Sequence, residues 1–152
     1  KREMNDIKTS LQPKQINQLS GRDSEYNDAR IVDFLHTHLE QYGDEKPQIQ
    51  KCLNYVHEKG GFILLGIIDQ NIAGAVVINE TGMGGYIPEN ILVYIAMDKQ
   101  YRGQGFGKQM MENAIKLCKG DVALHVEKDN PAKFLYEKLG FTNPYLEMRL
   151  KR

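Results

Sequence analysis

The chain has 152 residues, and its 20 Lys plus Arg balance 20 Asp plus Glu, so the formal net charge is zero. That length fits one domain, residues 1–152, with a real hydrophobic core. A neutral balance excludes the basic field that gathers nucleic acid or acidic lipid, the runs FILLGII and IAGAVVI are too short to cross a bilayer, and the first ten residues hold no apolar signal segment.

Residues 25–42 place Ile31, Phe34, Leu35 and Leu39 at helical spacing, and Gly43 and Asp44 end that helix. His36 and His38 lie two apart on it, point to different faces and cannot share one metal. A second helix follows Pro47, with Ile49, Cys52, Leu53 and Val56 on one face, and stops at Lys59-Gly60-Gly61. The period then changes. GFILLGIID and IAGAVVINE are short, apolar and β-branched, with turn residues between them, which predicts a buried antiparallel hairpin. Gly66 and Gly74 inside these strands predict bulges or close backbone approach.

A glycine-rich loop, residues 81–90, leads into a strand at ILVYIAM. Helix is expected over about 103–118, with Phe106, Met110, Met111, Ala114, Ile115 and Cys118 as its buried stripe. DVALHV reads as the next strand. A short helix follows in DNPAKFLYEKLG, where Asn130 can cap, Pro131 sits in the first turn and Gly140 terminates. YLEMRLK reads as a final strand. The order predicts an α/β fold whose mixed sheet begins antiparallel and turns parallel around the glycine-rich helix. Lys1, Arg2, Arg149, Lys151 and Arg152 read as solvated ends. Cys52 and Cys118 form no metal or redox motif, and as buried small hydrophobes they are consistent with a reducing, cytoplasmic location. No metal site is expected.

The segment RGQGFG, residues 102–107, crowds three glycines at a helix start beside an arginine. A helix N-terminus exposes unpaired N–H groups and a partial positive charge, and glycine lets an anion reach them without meeting a Cβ. Arg102 adds a charge-assisted donor, so a diphosphate suits the site best. The P-loop pattern fails, because Arg102 stands where its first glycine belongs and Gln109 where Ser or Thr would bind Mg²⁺. The dinucleotide pattern fails on the spacing of Gly103, Gly105 and Gly107, although Glu127 keeps a ribose contact, and hence a nucleotide-binding module, open.

RGQGFG also matches R-x-x-G-x-G/A, and NPAKFLYEKLGF places a tyrosine before a helix-ending Gly-Phe; together these resemble the GCN5-related N-acetyltransferase (GNAT) superfamily. The resemblance implies acetyl transfer from acetyl-CoA to a primary amine, on a small molecule or peptide, by direct transfer in a ternary complex. It implies that the amides of Gly103, Gln104, Gly105, Gly107 and Lys108 hold the pyrophosphate with Arg102 alongside. Backbone groups of Ile95 and Met97 would pair with the pantetheine arm, where ILVYIAM splays from DVALHV. Asn130 would contact the cofactor, six residues before Tyr136 where many relatives have seven, and Tyr136 would protonate the leaving thiolate. On the residues alone, Tyr136 also fits a packing role beside Ala132, Leu135 and Leu139, and Asn130 a plain cap. Glu80, Glu89 or water would serve as base. Tyr42, Asp44, Glu45, Tyr86 and Glu89 make an acidic, aromatic set suited to a cationic acceptor. A sensor that binds coenzyme A without turnover stays open, as does a monomer or a homodimer.

Overall fold

Polar Gln12, Lys14 and Gln15 around Pro13 carry little sign of a strand, yet β1 (Gln12–Ile16) opens the fold. It pairs antiparallel with β2 (Gly61–Ile68), Gln12 opposite Ile67 and Ile16 opposite Ile63. Pro13 lacks an N–H and the side chains seek water, a composition that an edge strand tolerates. The periodicity misses it for that reason. The computed structural model describes residues 10–152, so Lys1 and Arg2 lie outside the described residues.

Two helices follow where the 3.6-residue period predicts them. In α1 (Asp28–Leu39), the Asn27 side chain accepts the Arg30 N–H, and Ile31 and Leu35 are wholly buried. A 3₁₀ turn, Glu40–Tyr42, closes it. Pro47 sits in the first turn of α2 (Lys46–Glu58), which buries Ile49, Leu53 and Val56. β3 (Asn71–Glu80) and β4 (Asn90–Met97) extend the antiparallel ladder. After a second 3₁₀ turn, Lys99–Tyr101, come α3 (Phe106–Leu117), β5 (Val122–Leu124) and α4 (Ala132–Lys138). The sheet order is β1-β2-β3-β4-β5, and only the β4–β5 pair is parallel. This is the mixed α/β sheet the sequence predicts, in one domain.

Three boundaries differ from the expectation. The glycine-rich helix begins at Phe106 rather than 103, because Gly103 and Gly105 take φ of +77° and +83°, a left-handed backbone that no helix contains. The expected strand at 121–126 shortens to Val122–Leu124. The final strand at 145–151 does not form, and Tyr145, Leu146, Met148 and Leu150 are exposed. A three-residue β5 presents too little edge to template it.

Each face of the sheet carries its own core. On one, Ile31, Leu35, Ile49 and Leu53 meet Leu65, Val77 and Tyr94. On the other, Met110, Met111, Ala114 and Tyr136 meet Leu64, Val76, Ile78 and Leu92. Gly66 and Gly74 admit this second layer. A Cβ on Gly66 would lie 2.5 Å from the Met110 sulfur and 2.8 Å from Leu11, and one on Gly74 would lie 2.5 Å from the Met97 sulfur. The ladder also shifts register between Gly66 and Ile67, so both the bulge and the close approach are present. α3 is thereby seated over the centre of the sheet, with its N-terminus beside the end of β4.

Candidate active site

The segment between β4 and α3 is built from backbone. Among the described residues, the N–H groups of Gly103, Gln104, Gly105, Phe106, Gly107 and Lys108 have no acceptor, and Gln109, bonded to Gly105 O at 3.1 Å, is the first that has one. Such a run of free amides at the start of a 12-residue helix is an anion cradle. A Cβ on Gly103 or Gly105 would meet no protein atom within 4 Å, so the space above these amides is open. Gly107 differs. It has an ordinary φ, and its Cβ would meet Met97 and Leu135 at van der Waals distances of 3.8 and 4.0 Å.

The strands beside the cradle part. β4 and β5 pair only from Asn90 opposite Val122 to Leu92 opposite Leu124. Tyr94 faces Val77 and Leu92 faces Ile78, so Val93 is the extra residue of a bulge at the point of parting. Beyond it, the Asp98 N–H reaches Ala73 O at 2.8 Å and fixes the phase of the ladder. Alternate residues of an antiparallel strand turn both backbone groups to one side. Ala96 and Asp98 therefore bond to β3, while Ile95 and Met97 face the open cleft. An extended chain lying there can be bonded as an added strand.

Arg102 works partly inside the protein. Its Nε donates to Met97 O at 3.0 Å, one terminal nitrogen donates to His38 O at 2.9 Å, and the other lies 3.8 Å from a Glu40 oxygen. Glu40 also takes Lys99 at 2.9 Å, and these cations hold its carboxyl below the usual range, Lys99 most. Arg102 thus ties the cradle to the end of α1 and leaves part of its guanidinium at the surface. Gln104 and Lys108 are exposed on the cradle's rim, the Gln104 amide reaching Gln100 O at 3.4 Å.

Tyr136 is buried on α4, with its ring 6.0 Å from Phe141. Its hydroxyl makes no hydrogen bond among the described residues. Burial first, and then the charge of Glu127, push its pKa up to about 12, so the phenol stays protonated at neutral pH. Pro131, not Asn130, is the N-cap of α4; the Asn130 side-chain oxygen, one residue earlier, accepts the Ala132 N–H at 2.9 Å, which leaves its amide nitrogen to donate elsewhere.

Glu80 and Glu89 lie at the other end of β4. Glu80 pairs with Asn90, seven residues or roughly 23 Å of strand from Met97. With Lys59, Asn90 and Lys119 they border a shallow recess. Glu89 accepts the Asp121 N–H at 2.9 Å, and that bond holds its carboxyl below the usual range. It fastens the loop before β5. The structure therefore does not bring these carboxylates beside the cradle, Arg102 or Tyr136. It adds His125, exposed and immediately beyond the last paired residue of β5. A single histidine in an apolar strand carried no motif to mark it.

The cleft's other wall comes from the turn between α1 and α2. The Tyr42 hydroxyl donates to Asp129 O at 3.2 Å, across to the loop after β5. The buried Tyr94 hydroxyl donates to an Asp44 oxygen at 2.6 Å. Among the described residues, no three His, Cys, Asp or Glu side chains cluster to hold a metal, and no helix is long and apolar enough to cross a membrane.

A run of free amides beside two parted strands is an arrangement that can receive an anion and an extended chain. The sequence places it: residues 24–141 match the acetyltransferase (GNAT) family, and the chain belongs to that family. It is an N-acetyltransferase. Over 126 residues it is 27% identical to N-alpha-acetyltransferase 30 of Schizosaccharomyces pombe, covering 73% of this chain and 82% of the relative. Its fold matches aminoglycoside N-acetyltransferase AAC(6')-Iy in complex with CoA, at a TM-score of 0.69, 12% identity and 97% of each chain. It also matches ribosomal-protein-alanine N-acetyltransferase from Brucella melitensis, at a TM-score of 0.64 and 11% identity over 94% of this chain and all of that one.

Proposed function

We propose that this chain transfers the acetyl group of acetyl-CoA directly to a primary amine, with both substrates bound at once, in the cytoplasm. The carrying observation is the run of six unpaired amides from Gly103 to Lys108 at the mouth of the β4–β5 cleft. Those amides, with the exposed part of Arg102, would hold the pyrophosphate. Backbone groups of Ile95 and Met97 would hold the pantetheine arm, and the Asn130 amide would donate to it. The cofactor, when bound, supplies an acetyl thioester.

The chain's own residues handle two protons. Tyr136, a buried phenol protonated at neutral pH, would hold the proton a leaving thiolate needs. His125, one residue beyond the last β4–β5 pair, would be the group that takes a proton from the amine. Glu80 and Glu89 would act as base only through a chain of waters, given their place at the far end of β4. One relative is named an N-alpha-acetyltransferase, and the similar solved structures are named for an aminoglycoside and for a ribosomal-protein alanine, which supports an amine acceptor of either size. The test is release of free thiol from acetyl-CoA, followed continuously, with peptides and small amines as acceptors. Amine-dependent release with matching acetylated product supports the proposal. Tight acetyl-CoA binding with no release for any amine would leave a sensor instead.

A further inference from the structure

Tyr94 lies on β4 one residue past the bulge, where β4 leaves β5, and its side chain is buried against α1 and α2. A buried phenol needs an acceptor, and main-chain carbonyls are plentiful in such a core. Tyr94 instead reaches a carboxylate, Asp44, at 2.6 Å. That bond fixes one Asp44 oxygen. The other has no donor among the described residues, and Asp44 as a whole is exposed. The turn that carries it is pinned just ahead of Asp44, by Glu40 to Lys99 and by Tyr42 to Asp129 O. Asp44 is thus an oriented carboxylate on the turn that spans the cleft, with one face spoken for and one face free.

A reacting amine must be neutral to attack a thioester, and a carboxylate beside it would hold its proton on. An anion at this place therefore suits a cation that does not react. We propose that Asp44, positioned by Tyr94, binds a second, non-reacting ammonium of the acceptor, so that the preferred acceptors are di- or polycationic amines. The inference rests on the acetyltransferase reading above. Asp44 is the binding group; Tyr94 is a positioning residue that acts through it.

The test compares kcat/KM for 1,3-diaminopropane, 1,4-diaminobutane and 1,5-diaminopentane with propylamine, butylamine and pentylamine. Asp44→Asn keeps an acceptor for the Tyr94 hydroxyl and removes the charge. The wild type should favour at least one diamine over its monoamine by roughly tenfold, less in high salt, and Asp44→Asn should abolish that preference by raising KM for the diamine about tenfold more than for the monoamine. Tyr94→Phe keeps the ring and should weaken the preference severalfold, again in KM rather than kcat. Equal use of diamines and monoamines by the wild type, or a preference that survives Asp44→Asn, would overturn the proposal while leaving acetyl transfer intact. Transfer to a peptide but to none of these amines would overturn it as well. A wild type that binds acetyl-CoA and acetylates no amine would sink both this inference and the reading beneath it.

Discussion

Two glycines two residues apart in the anion cradle should respond oppositely to one added methyl group. Gly105 holds φ of +83°, and a Cβ there meets no protein atom within 4 Å. Gly105→Ala therefore creates no clash in the free protein but sets an L-residue in left-handed backbone, at about 1–2 kcal/mol. That corresponds to a melting temperature roughly 2–8 °C lower for a chain of this size. Its methyl also stands in the space above the free amides, so acetyl-CoA affinity should fall at least tenfold. Gly107 lies in the first turn of α3 with ordinary φ, and its Cβ would touch Met97 and Leu135 at 3.8 and 4.0 Å. Gly107→Ala should be neutral or raise stability by up to about 1 kcal/mol, because alanine favours helix and the space admits it. Its acetyl-CoA affinity should stay within about threefold of the parent. Thermal denaturation and titration calorimetry measure both. A Gly105→Ala protein that binds acetyl-CoA normally, or a Gly107→Ala protein as damaged as Gly105→Ala, would refute the cradle as described.

Tyr136→Phe should leave acetyl-CoA affinity and neutral-pH stability nearly unchanged, while turnover drops by about 10²–10⁴, as for a lost general acid; full activity with chemistry rate-limiting would assign the residue to packing alone. The raised Tyr136 pKa also makes a stability prediction. The fold keeps the phenol protonated to about pH 12 whereas the unfolded chain ionises it near 10, so the stability present below pH 10 is lost as pH rises to 12, and Tyr136→Phe should flatten that decline in a denaturant series. Arg102→Ala removes the bonds to Met97 O and His38 O, and with the guanidinium side chain 41% exposed the melting temperature should fall by only a few degrees. Acetyl-CoA affinity should fall about tenfold with it, and calorimetry showing unchanged affinity would make Arg102 a strut only. His125→Gln should cut turnover by roughly 10²–10³ without altering acetyl-CoA affinity; a fully active variant would return the base role to water.

The cradle was legible because its chemistry is local. Three glycines and an arginine at a helix start state their own backbone geometry, and the φ values of Gly103 and Gly105 carry it out. The hairpin, α1, α2 and both methionines of α3 were legible because burial writes a period into the sequence. β1 was not, since an edge strand buries little and Gln12, Pro13 and Lys14 show it. The period-2 pattern of Leu146, Met148 and Leu150 suggested a strand that lacks a partner edge, so alternation alone was insufficient. Glu80 and Glu89 were drawn toward the site by their nearness to the 81–90 loop in sequence. Only the β3–β4 register shows that this loop lies at the opposite end of the strand from the cradle. Tyr94 sits in an apolar strand and His125 just beyond one, both without any motif, and the point where β4 and β5 part, which gives both their place, is a property of the folded sheet.

The central claim is that acetyl-CoA lies on the amides from Gly103 to Lys108 and along Ile95 and Met97. Amide resonances of isotope-labelled protein, titrated with acetyl-CoA and separately with NAD and ATP, test it residue by residue. Acetyl-CoA should move the resonances of residues 103–108 most, with Ile95 and Met97 next, while those of Glu80 and Glu89 stay near their free positions. NAD should give no comparable shifts, and ATP at most weak ones at the cradle. Shifts centred on the 81–90 loop, or a cradle that answers to NAD or ATP and not to acetyl-CoA, would contradict it.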